Sequence, residues 1–139
     1  MDEAKYKRNE AENEKLLKEF EQYLRSKDLS DKTINNHMNH VAFYLNIYLN
    51  DHNYASAKEG IEYNYLADFL DYFFIRKCFP STPGSLRSMA SSIKKFYTFM
   101  YEKKLIEKKE YDDFRFYMKE SIDTWCEDCK NHNEGISIY

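Results

Sequence analysis

The chain has 139 residues and a net charge of −3, with 42% hydrophobic and 32% charged residues. That length suits one domain with a real core. Only 3 Gly and 2 Pro punctuate it, and β-branched residues are few, so a sheet-based fold is excluded in favour of an all-α one. No apolar run approaches the roughly 18 residues that a membrane span needs.

The amino terminus, MDEAKYKRNEAENEK, is polar and has no secretory core, and 1–13 reads as an extension outside the domain. Three cysteines make no disulfide framework, so a reduced, cytoplasmic protein is expected. Apolar spacing then predicts five helices. The first covers about Ala11 to Lys27, with Leu16, Leu17, Phe20, Tyr23 and Leu24 on one face. The second starts after Ser30, a suitable N-cap, and lines up Ile34, Met38, Val41, Leu45, Tyr48 and Leu49. Asn50, Asp51 and Asn53 open a loop that reaches Gly60.

The third helix, about Glu62 to Lys77, is apolar on two sides and is expected at the centre, Phe73 included. Pro80 to Gly84 breaks the chain, with Pro83 suited to a first helical turn. The fourth helix, about Ser85 to Lys103, turns Leu86, Met89, Ile93, Phe96, Tyr97 and Met100 inward. The fifth, about Lys109 to Lys130, spaces Phe114, Met118, Ile122, Trp125 and Cys129 at helical intervals.

Charge is unevenly distributed along this series. Residues 81–109 sum to +5 and residues 110–139 to −5. A basic stretch followed by an acidic one suggests an anionic partner or a regulated surface. The polar face of the second helix reads Lys32, Asn35, Asn36, Asn39 and Asn46, and asparagine can pair with an adenine edge in a major groove. The fourth helix shows Ser85, Arg87, Ser88, Ser91, Ser92, Lys94, Lys95 and Thr98 away from its core face. Hydroxyls among cations suit phosphate contact; small serines also suit close helix packing.

Residues 16–49, LLKEFEQYLRSKDLSDKTINNHMNHVAFYLNIYL, resemble the start of the core-binding domain of tyrosine recombinases, the phage integrase family. Leu29-Ser30-Asp31-Lys32-Thr33 matches its turn, and SLRSMASSIKKFYTFMYEKKLI (85–106) resembles its fourth helix. The resemblance implies a SAM-like four-helix bundle over 14–106, here followed by an additional helix and acidic tail at 107–139. It implies that Lys32, Thr33, Asn35, Asn36, Asn39, Ser85, Arg87, Ser91, Lys94 and Lys95 lie at duplex DNA. Asp28 and Lys104 depart from the family, standing where it commonly has glycine.

The family's catalytic half is absent, and no His-x-x-Arg element occurs. The expectation is a non-enzymatic DNA-binding protein acting in recombination or transposition of a mobile element. The alternative is an adaptor that docks on a recombinase and has lost DNA affinity. Expected partners are duplex DNA, a full-length tyrosine recombinase, and a second copy through the C-terminal helix, with no membrane. Cys126-x-x-Cys129 followed by His132 supplies only part of a zinc site, so no metal and no cofactor are expected. His37 and His40 read as residues of a polar face.

Overall fold

A computed structural model describes residues 2–78 and 81–135, and Pro80 lies outside them. Helix α1 is Glu3–Arg25; α2 runs over 31–52, α3 over 63–77; α4 is Pro83–Glu102 and α5 is Lys108–Asn133. There is no strand among the described residues, so the chain is an all-α bundle with an additional C-terminal helix. No described helix is long and apolar enough to cross a membrane.

Helix starts are chemically marked. The Ser30 hydroxyl accepts from the Thr33 backbone N–H at 3.2 Å, and Thr82 and Ser85 form a reciprocal capping box with Pro83 beside it. Helix α1 begins at Glu3, well before the expected Ala11, so residues 3–13 are helical and continuous with the bundle. The reason is an amide network. Asn9 donates to Asn50 at 3.0 Å, while Asn13 donates to Asn46 at 3.0 Å and to the Leu45 carbonyl at 3.2 Å. Asn9, Asn13 and Asn50 are buried although polar, so apolar spacing misses this half of the α1–α2 contact.

Two stretches wind as π-helix: Phe43–His52 in α2 and Phe69–Phe73 in α3. Such winding is rare beyond one turn. Here the two stretches meet through aromatic rings. Tyr44 and Tyr48 stack 5.7 Å apart, and Phe69 lies 4.9 Å from each of them. Their hydroxyls are satisfied as well, Tyr44 by the Gly60 carbonyl at 2.6 Å and Tyr48 by Asp68 at 2.5 Å.

The core joins all five helices. Phe20 of α1 meets Phe96 of α4 edge-on at 5.4 Å, and Tyr97 of α4 meets Phe114 of α5 at 5.2 Å. Phe69, rather than Phe73, is the fully buried ring of α3; Phe73 is half-buried at the seam with His52. The long loop after α2 is pinned, because Tyr97 donates to the Ala57 carbonyl at 2.6 Å. A Cβ on Gly60 would stand 2.3 Å from Leu49 Cδ1 and 2.6 Å from the Tyr97 hydroxyl, so a larger residue there must displace buried side chains.

Candidate nucleic-acid interface

Helix α4 lies between α2 and α5 and divides the expected DNA-facing residues into two sets. On the α2 side, Ser85, Ser88, Asn39 and His40 share a groove of about 360 Å³ with Phe43, Phe74, Cys78 and Met89. On the α5 side, Arg87, Ser91 and Lys94 line a groove of about 460 Å³. The second groove contains residues the sequence reading did not single out: Arg115, Phe116 and Lys119, over a floor of Ala90, Met118 and Ile122.

Individual residues depart from expectation for local reasons. Thr33 accepts from the Ser30 hydroxyl at 3.0 Å, and Ser85 caps α4, so both serve helix starts. Asn46 turns off the Asn35–Asn39 stripe into α1, because π winding turns less per residue than α winding. Lys32, Asn35, Asn36 and Asn39 remain exposed on α2. Arg87 pairs with Asp123 at 2.7 Å across the α4–α5 seam. Thr98 shares a hydrogen bond with Tyr111 of α5 at 2.8 Å.

Ser92 is buried, not outward. Its hydroxyl lies 2.7 Å from His37 Nδ1 and 2.8 Å from His40 Nδ1, and it can donate to the Ser88 carbonyl at 3.2 Å. The two imidazoles therefore bind the α2–α4 seam instead of decorating a polar face. Burial lowers both pKa values from the ordinary 6.5, with Lys95 adding to the effect on His37.

The charges of α5 sort by side. Towards α4 it offers Arg115 and Lys119. Towards α3 it offers Glu110 and Asp113, in a groove with Tyr63 and Tyr117, and Asp128 beside Asp71. Of the acids nearest the basic side, Asp112 is held by Lys108 at 2.6 Å and Asp123 by Arg87. Lys94, Lys95 and Lys119 make no ion pair among the described residues. The opposite sign predominates beyond α2, where Glu10, Glu14, Glu21 and Asp51, against Lys18, line the groove between α1 and α2, with Glu14 paired to Lys18 and Glu21 to Arg25. The groove between α1 and α2 is thus lined mainly by acids and the groove between α4 and α5 by cations.

Trp125 is buried, so it is not a free anchor for self-association. Cys126 and Cys129 are buried too, and burial pushes both thiols upward. Among the described residues no three His, Cys, Asp or Glu side chains gather as a metal site. Comparison with protein-family models, with curated proteins and with solved structures gives no match to this chain.

Proposed function

We propose that this chain is a non-catalytic DNA-binding protein that grips one side of a duplex with the face formed by α2, α4 and α5. In this reading it acts in recombination or transposition of a mobile element, as its resemblance to integrase core-binding domains implies. One observation carries it. The C-terminal helix, acidic in sum, turns Arg115 and Lys119 towards Lys94 and Arg87, so it extends a basic surface instead of covering it.

The backbone at two departures from the family pattern also supports the reading. Asp28 and Lys104 adopt φ of 60° and 63°. That left-handed conformation is the one glycine tolerates best, and these are the positions where the family commonly carries glycine.

On this face Lys94, Lys95, Arg115 and Lys119 neutralise phosphates, which fixes register but reads no sequence. Asn35, Asn36 and Asn39, exposed on the neighbouring helix, reach base edges. Arg87 stays on Asp123 across the α4–α5 seam. The reading assigns the chain no bond-making step.

The test is duplex binding followed by fluorescence anisotropy from about 50 to about 200 mM salt. Replacing Lys94, Arg115 and Lys119 by Gln is expected to flatten the slope of log K against log salt by up to about 2.7. An intact chain that fails to bind duplex at about 50 mM salt refutes the proposal, and docking on a recombinase then becomes the better account.

A further inference from the structure

The α4–α5 groove contains more than phosphate binding to a duplex requires. A paired, stacked duplex offers a protein its phosphates and sugars, and those need cations and hydroxyls. This groove also has an apolar floor of Ala90, Met118 and Ile122, and beside it stands Phe116, 67% exposed. Phe116 is conspicuous because nearly all other phenylalanines of the described chain are wholly or largely buried.

The cations flank that apolar strip from both sides. Lys94 and Arg87 belong to α4, Arg115 and Lys119 to α5. At the helical rise, the two on α5 stand about 6 Å apart along their axis and the two on α4 about 10 Å apart. Arg115 additionally lies over the Tyr111 ring, 5.6 Å from its centroid, which limits where its guanidinium can go. A line of cations beside an exposed aromatic ring matches a ligand that alternates anionic groups with flat, weakly polar rings.

We infer that the α4–α5 groove takes unpaired nucleotides, a single strand or a base turned out of a duplex, with one base stacked on Phe116 and the flanking phosphates on Lys94, Arg115 and Lys119. This rests on the nucleic-acid reading of the same face and narrows it to strand state. Stacking on an aromatic side chain tolerates any base, so the site selects for unpairing rather than for sequence.

Because Phe116 is exposed, its replacement leaves the core intact, and the full chain can be used throughout. A labelled oligo(dT), a blunt duplex and the same duplex carrying one bulged thymidine are titrated against the chain and against F116A and F116W. Expected is a loss of about tenfold or more in oligo(dT) and bulged-duplex affinity for F116A, recovery in F116W, and no change on the blunt duplex. Equal affinity of F116A and the parent for oligo(dT) overturns the inference while leaving duplex binding standing. Binding of oligo(dT) without binding of the blunt duplex supports the groove and refutes the duplex proposal. Displacement of oligo(dT) by poly-glutamate at comparable concentration assigns the groove to acidic peptides and overturns the inference.

Discussion

Asp71 of α3 lies beside Asp128 of α5, close enough for one carboxyl to donate to the other. One oxygen of Asp71 is buried without a partner. Burial, and then the neighbouring carboxylate, push the Asp71 pKa from 3.8 up to about 7, with Arg76 pulling weakly the other way. The folded chain therefore holds a proton here that the unfolded chain releases between about pH 4 and about pH 7. Stability from this pair is present below that window and is lost as pH rises through it.

Replacing Asp71 by Asn keeps a donor for Asp128 and removes the charge. For a fully buried group, a rise from 3.8 to about 7 corresponds to about 4 kcal/mol. Asp71 is only partly buried, so solvent screening reduces the expected gain of D71N to about 1–2 kcal/mol at about pH 8. In a chain of this size that is roughly 3–7 °C in Tm. Urea unfolding of parent and variant at about pH 3 and about pH 8 measures it, and the gain should shrink to near zero at the lower pH, below the unfolded-state value of 3.8. Equal stability of the two proteins at the higher pH, or a gain that grows on acidification, refutes the account.

Four further outcomes are expected. His37 and His40 have lowered pKa values, so the unfolded chain takes their protons first and the seam loses stability as pH falls below about 6.5; H37Q/H40Q should shed that loss in unfolding titrations. Gly60→Ala drives a Cβ into Leu49 and the Tyr97 hydroxyl and should cost about 1–3 kcal/mol by thermal melts. Asp28→Gly and Lys104→Gly relieve positive φ and should each stabilise by about 0.5–1 kcal/mol, a loss instead showing that the side chains compensate. Phe69→Ala should cost about 3–5 kcal/mol and half-buried Phe73→Ala clearly less, an order that denaturant midpoints would confirm or reverse.

The helices were legible because their signals are local: the Ser30 cap, Pro83 in a first turn, and apolar residues at three- and four-residue spacing. The start of α1 was not, since its buried groups are asparagines whose partners lie more than thirty residues away. The π winding was hidden because Tyr44, Leu45, Tyr48 and Leu49 fit an α-helical arc equally well, and the Phe69 ring that Tyr44 and Tyr48 meet lies more than twenty residues on. Seven of the expected DNA-facing residues, Lys32, Asn35, Asn36, Asn39, Arg87, Ser91 and Lys94, lie exposed, although Arg87 is engaged by Asp123, while Thr33 and Ser85 are occupied by helix caps. Arg115 and Lys119 escaped notice because a segment sum of −5 averages over both sides of a helix. Their spacing of four was visible, but which side faced α4 depended on packing.

The difference in charge between the α1–α2 groove and the α4–α5 groove has a kinetic consequence that a net charge of −3 conceals. A molecule with an acidic flank and a basic one carries a dipole, and the field of a polyanion exerts a torque on it before contact. Repulsion at the α1–α2 groove and attraction at the α4–α5 groove favour encounters that present the basic groove. Ionic strength then governs how often an encounter is correctly oriented, and so sets the association rate, while the lifetime of the bound state depends on contacts made at short range.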